Sequence, residues 1–214
     1  MEVSEKAIYT MQEEGVDLIE LGVPFSDPAA DGPVIQRADE RALAQGVDIF
    51  KVFELVRKIR NNVEVPMVFL LYYNVMVQYG IEKFFKRCQE TGVDGLIIPD
   101  LPYEESDEIK EYTEKYGVYQ ISLVSPTSKD RIKNIAKDAK GFLYCISSLG
   151  VTGEKSSFVT NFDEFVGTIK KYTDVPACVG FGVSNGRQVK ELTKYFDGAI
   201  VGSAIVKSIA AGES

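Results

Sequence analysis

Seven short apolar runs punctuate this chain, each followed by a loop rich in Gly, Pro, Asp or Ser and separated from the next by an amphipathic stretch. They lie within residues 15–27, 65–74, 92–102, 117–126, 141–150, 175–184 and 196–205. Between them fall helical patterns over 3–14, 34–44 with 48–61, 81–91, 104–116, 128–138, 162–172 and 185–195. Strands of five to seven residues alternating with helices of ten or more predict βα units and a parallel sheet. The strands are apolar almost throughout, which predicts burial on both faces. No linker or low-complexity segment interrupts the pattern, so residues 1–214 read as a single domain. A closed eight-stranded barrel takes roughly 250 residues. Seven strands behind an opening helix therefore predict a TIM (β/α)8-type barrel short of its first strand and last helix, or else an open sheet.

The charge balance narrows the function. Thirty-two acidic residues against 24 basic ones give a net charge of −8, which disfavours nucleic acid or an anionic membrane as partner. No run of 18 apolar residues and no signal peptide stand in the sequence, so a soluble cytoplasmic protein is the expectation. Histidine is absent, and the three cysteines, Cys88, Cys145 and Cys178, are scattered. No metal site, disulfide framework, Ser–His pair or Cys–His pair is expected. Acid–base chemistry has to run on Asp, Glu, Lys or Tyr.

Three features carry chemistry. Glu20 interrupts the apolar run "LIELGV". Alternation places Leu18, Glu20 and Gly22 on one face and Ile19, Leu21 and Val23 on the other. The aliphatic set must pack on helices, so Glu20 points into the barrel, where apolar surroundings raise its pKa. The competing reading is a strand-end Glu paired with a lysine. The loop "PFSDPAADGP" then places Asp27 and Asp31 among Pro24, Pro28 and Pro33, on the functional face of an α/β fold. Ordinary turn chemistry, or a helix cap by Asp31, is the alternative. Glycine-rich segments at 150–153, 180–184 and 202–204 follow strands and suit an anion held by backbone amides. Ser203 opens a short helix, whose N-terminus favours phosphate; ordinary turns and helix caps are the bland alternative. Tyr72, Tyr73 and Asn74 read as strand end and packing, and the cysteines as small apolar fillers.

These residues resemble the tryptophan synthase alpha subunit family. The family's signature "LELGVPFSDPxADGPxIQ" is matched by "IELGVPFSDPAADGPVIQ" from Ile19 to Gln36. The segments "GVTG", "GFGVS", "GSAIV" and "IIPDLPYEES" follow in the family's order. The resemblance covers about residues 1–210 and implies a TIM barrel and a lyase. The implied reaction is retro-aldol cleavage of indole-3-glycerol phosphate to indole and glyceraldehyde 3-phosphate in tryptophan biosynthesis. It implies that Glu20 is the catalytic acid–base and that Asp31, charged in a wetter loop, holds the indole N–H. Leu70, Ile97, Leu123 and Tyr144 would line the indole pocket. Gly153, Gly182, Val183, Gly202 and Ser203 would bind the phosphate. No cofactor is implied for this chain; the implied partner is a PLP-dependent beta subunit, met near Pro24, Asp27 and residues 71–78.

The sequence also departs from the family pattern. Members carry a strand ahead of the first helix and further helices after "GSAIV". Without them, strands from 18 and 198 are expected to have open edges, and self-association across the seam is the corresponding expectation. Ser148 stands where the family often has Arg, which bears on loop closure. The alternative function is thus a catalytically weak or inactive short alpha subunit that binds a beta subunit or itself.

Overall fold

The computed structural model describes residues 1–146, 162–180 and 182–212. Its strands are all parallel and form two four-stranded sheets. Two compact units contain them, Met1–Gln120 with Val206–Ser214 and Ile121–Ile205.

In the first unit, α1 (Glu2–Glu13) leads into β1 (Ile19–Gly22), followed by α2 (Pro33–Ala44) and α3 (Ile49–Ile59). Then come β2 (Met67–Leu70), α4 (Tyr73–Tyr79), α5 (Ile81–Thr91), β3 (Gly95–Ile97), α6 (Asp107–Tyr116) and β4 (Tyr119–Gln120). The sheet order is β1-β2-β3-β4. Local signals set the boundaries. Asp48 caps α3 by accepting the Lys51 N–H at 3.0 Å, as a short polar side chain before an apolar-periodic run should. Helix α5 stops at Gly92, whose φ of +81° is left-handed. A side chain there would also meet the Arg60 guanidinium at 2.9 Å, so only glycine fits without strain.

The predicted alternation in β1 is present. Ile19 and Val23 are buried in the apolar core, and Leu21 packs against it. The same core takes Met67, Phe69 and Leu71 from the β2 run and Leu96 and Ile98 from the β3 run. Helix α3 adds Val52, Phe53, Val56 and Ile59. Phe53 sits 5.3 Å from Phe69 and 5.4 Å from Phe84, with tilted or edge-on rings. That is the geometry aromatic quadrupoles favour, and each such buried ring stabilises the fold by about 1.5–3 kcal/mol. Glu20, by contrast, is registered with Val68, and Gly22 with Leu70, which is itself paired with Ile97. Those residues form the opposite face of the sheet.

In the second unit, β5 (Ser122–Val124), α7 (Ile132–Asp138), β6 (Leu143–Ile146), α8 (Phe162–Lys170), β7 (Ala177–Gly180), α9 (Gly186–Leu192) and β8 (Gly198–Ala199) alternate, in sheet order β5-β6-β7-β8. The next element is α10 (Ser203–Ala211). Leu143, Cys145, Ala177 and Val179 are buried without exposure, and Ile169 of α8 likewise. Phe196 meets Phe162 at 5.3 Å and Phe165 at 6.4 Å.

Two expectations are corrected in detail. The fourth apolar run is not one strand: Tyr119–Gln120 pair with β3, and Ser122–Val124 pair with β6. Ladder partners change at Ile121, so eight strand segments stand among the described residues where seven were expected. The run 65–74 is strand only over Met67–Leu70, because Tyr73–Tyr79 form α4. The aromatic, β-prone pair Tyr72–Tyr73 hides that switch. Tyr73 enters the helix with its N–H held by Asp100 at 2.9 Å. No helix among the described residues is long and apolar enough to cross a membrane.

Candidate active site

Parallel order puts the C-terminal ends of β1, β2 and β3 at one edge of the first sheet. Glu20 lies on the face away from the helix-packed core, with Leu70 and Ile97 on that face. Ile97 is fully buried and Leu70 partly exposed. Glu20 makes no ion pair or hydrogen bond among the described residues. Burial first, and the Asp31 carboxylate second, push its pKa up to about 7.

Asp31 is bound into the site by a network. Its N–H donates to the Pro28 carbonyl at 3.3 Å, and its own carbonyl accepts the Gln36 side-chain amide at 2.7 Å. The Tyr72 hydroxyl donates to its carboxylate at 2.8 Å and accepts the Ala30 N–H at 2.9 Å. Asp31 does not cap α2: the cap position is Gly32, ahead of Pro33, and no side chain bonds there. Proline at the first helical position removes one orphan donor instead. Burial raises the Asp31 pKa, while the Tyr72 hydrogen bond works in the opposite direction by favouring the charged form. Asp27 stays apart, accepting the Ser26 hydroxyl at 2.5 Å on the exposed side of the loop.

Two residues of this site escape a reading of the sequence. Tyr72 is 5% exposed, and its ring stacks on Phe25 at 5.0 Å with 22° between planes. Its phenol pKa is raised, chiefly by burial. The available signal was its place just past β2, beside the strand that bears Glu20. Asp39 lies on α2 one turn beyond Gln36, on the same helix face. Burial, then the charge of Asp31, raise its pKa to about 7. Its signal was that spacing, hidden in the charged string "RADER". Among the described residues no group of Asp, Glu and Cys is arranged to hold a metal.

The second unit holds the remaining candidates. Leu123 and Tyr144 are registered partners on β5 and β6 and share a face. Tyr144 lies over Gly180, where a methyl group would meet its hydroxyl at 2.4 Å and its ring at 2.6 Å. The loops after β7 and β8 leave from adjacent strand ends, Val179 being registered with Ala199. Gly182 there is left-handed, with φ +77°. Val183 is buried. Ser184 gives both its N–H and its hydroxyl to Gln188. Gly202 is exposed, and Ser203 begins α10. Gly153 and Ser148 lie outside the described residues.

A parallel α/β protein with a largely buried glutamate and a braced aspartate at its strand ends has the makings of an acid–base site. Comparison with known proteins makes it specific. The sequence model of the tryptophan synthase alpha chain matches residues 1–214. The tryptophan synthase alpha chain of Alkaliphilus metalliredigens is 49% identical over 212 residues, 99% of this chain and 80% of that protein. The Methanocaldococcus jannaschii protein of the same name is 47% identical, over 98% and 75%. A solved structure of the Campylobacter jejuni alpha subunit superposes with a TM-score of 0.89 at 42% identity, covering 98% of this chain and 84% of that one. The chain belongs to the tryptophan synthase alpha chain family, and its parallel α/β fold is of that family's TIM-barrel class. It is a lyase of tryptophan biosynthesis.

Proposed function

We propose that Glu20 and Asp31 carry out the retro-aldol cleavage of indole-3-glycerol phosphate. The observation that carries this reading is Glu20 itself, a carboxyl with no ion-pair partner among the described residues, held at a pKa of about 7 on the face that also bears Leu70 and Ile97. At neutral pH such a group is populated in both forms, as a proton shuttle requires. As the acid it delivers a proton to C3 of the indole. The carboxylate that remains takes the proton of the glycerol hydroxyl next to the breaking carbon–carbon bond. The electrons of that bond return to the indole ring, the carbonyl of glyceraldehyde 3-phosphate forms, and Glu20 ends as it began. Asp31 accepts the indole N–H and stabilises the positive charge that grows on the ring when C3 is protonated. Two carboxyls in different surroundings thus serve two roles.

Leu70, Ile97, Leu123 and Tyr144 are assigned to the indole, and Gly153, Gly182, Val183, Gly202 and Ser203 to the phosphate. The assignment of Gly182 and Val183 draws support from amides that no described residue occupies, and that of Ser203 from its place at the first turn of α10. A PLP-dependent beta subunit that consumes the indole is the proposed partner. Indole release from indole-3-glycerol phosphate tests the reading, with and without a beta subunit. Wild type turns over and Glu20→Gln loses about 1,000-fold or more, within the range of general acid–base catalysis. Equal rates in the two proteins would remove Glu20 from the mechanism.

A further inference from the structure

The lyase reading gives Asp31 a task that depends on direction: one carboxylate oxygen has to meet an indole N–H in the ring plane. A loop aspartate does not hold a direction unaided. Residues 24–31 contain two prolines, Pro24 and Pro28, and no strand or helix. What ties them to the sheet is a residue outside the loop. The Tyr72 ring is clamped against Phe25 at the start of the loop, at 5.0 Å and 22°. Its hydroxyl reaches the far end, accepting from Ala30 N–H at 2.9 Å and donating to Asp31 Oδ2 at 2.8 Å. Tyr72 follows β2 by two residues, and Leu71 before it is bonded to the β3 carbonyl of Ile97 at 3.1 Å. Loop geometry is thereby referred to the rigid sheet that bears Glu20.

We infer that Tyr72 is a positioning residue. It occupies one oxygen of Asp31 and so presents the other to the indole nitrogen. The inference rests on the lyase reading. The Tyr72 hydroxyl has its proton on Asp31 and an acceptor site filled by Ala30, so it binds the loop rather than the substrate. Among the described residues, it is the single hydrogen-bond donor to that carboxylate. Other charges that face the pair are Glu20 on β1, Asp39 on α2 and Asp100 after β3, all acidic. None of them is hydrogen-bonded to the Asp31 carboxylate among the described residues.

The test is Tyr72→Phe, which keeps the ring and its stack on Phe25. Indole release by the full chain is measured across pH for wild type, Tyr72→Phe, Asp31→Asn and Phe25→Leu, with thermal melts on each. Expected is a roughly 10-fold lower kcat/KM in Tyr72→Phe, the scale of one charge-assisted hydrogen bond. Its acid limb should move to higher pH, because the lost donor favoured ionised Asp31. Phe25→Leu, which loosens the stack and spares the hydroxyl, lowers the melting temperature and leaves the acid limb in place. An unchanged acid limb in folded Tyr72→Phe, beside an inactive Asp31→Asn, overturns the positioning role and leaves the lyase reading standing. An Asp31→Asn protein as active as wild type, or a wild type without turnover, overturns the lyase reading and the inference with it.

Discussion

The two sheets are built at their N-terminal edges by one device and differ at their C-terminal edges. In the first unit, Met67 follows Val65–Pro66, and its N–H donates to Asp94, whose own N–H returns to the Met67 carbonyl, both at 2.8 Å. Arg60 donates to the Asp94 carboxylate at 2.9 Å and to the Val65 carbonyl at 2.7 Å. In the second unit Ala177 follows Val175–Pro176 and exchanges the same pair of bonds with Asp197, at 2.8 and 2.9 Å. Lys170 takes the place of Arg60, at 2.6 Å from Asp197 and 3.4 Å from the Val175 carbonyl. Even the proline carbonyls match: Pro66 accepts from Ile19 at 2.9 Å and Pro176 from Leu143 at 2.8 Å. At the other edge the first unit presents Glu20, Asp31 and Asp39, and the second presents glycines and a serine. Sameness marks the edge that folds the sheet, and divergence marks the edge that does chemistry.

The largest break in that comparison should come from Glu20→Gln. It abolishes turnover and also changes stability with pH. The folded carboxyl titrates at about 7 against an ordinary 4.5, so between those values the folded chain holds a proton that the unfolded chain has released. Stability conferred below pH 4.5 therefore falls as pH rises to about 7 and is flat above. A shift of this size corresponds to about 3 kcal/mol, an upper figure for a partly accessible group. Melting Glu20→Gln and wild type at pH 5 and pH 8 checks it: the mutant loses this fall. A wild type equally stable at both values would place Glu20 in water.

In the second unit the chemistry edge should break through shape rather than charge. Gly180→Ala sets a methyl group 2.4–2.6 Å from the Tyr144 hydroxyl and ring. The ring has to leave, at about 1–3 kcal/mol of stability, as overpacking generally costs. Phenylalanine at 144 does not relieve the clash, since the ring itself is in the way. A smaller and more selective effect is expected from Gly182→Ala. The φ of +77° penalises any side chain there by about 1–2 kcal/mol. If its amide serves phosphate, KM for the phosphorylated substrate rises about 10-fold while kcat moves less. A kcat loss with unchanged KM would assign Gly182 to something other than binding.

The sequence made parts of this legible for identifiable reasons. Glu20 stood out because a carboxylate in an aliphatic run has no packing excuse. Helix α5 was read to the residue because Gly80 and Gly92 bracket it, both with positive φ. Tyr72 was passed over because tyrosine is at home at a strand end, and its value lies in a hydrogen bond to a residue 41 positions away. Asp39 was lost in a helix already full of charge. The break at Ile121 was invisible because pairing partners, not composition, decide it. Asp94 and Asp197, each followed by glycine, carry nothing in the sequence pattern that sets them apart; their bonds to Met67 and Ala177 belong to the sheet.

That last pair gives the smallest and sharpest test. Asp94→Ala and Asp197→Ala each leave an N–H at a fully buried residue, Met67 or Ala177, without its side-chain acceptor. An unmade hydrogen bond of this kind costs about 1–3 kcal/mol. Asp94→Ala should cost more, because the Arg60 side chain is 24% exposed where that of Lys170 is 35%. Arg60 therefore has less water to replace its partner. Asp94→Asn should recover part of the loss, since the amide oxygen still accepts from Met67 while the charge on Arg60 goes unmatched. Neither alanine variant should alter KM or kcat per folded molecule, because both act at the edge of the sheet remote from the strand C-termini. Denaturant melts and indole release on the same samples decide it. A matched loss of stability with intact kinetics separates the folding edge from the chemical one. A change in kcat from either aspartate would show that the division between the two edges is too sharply drawn.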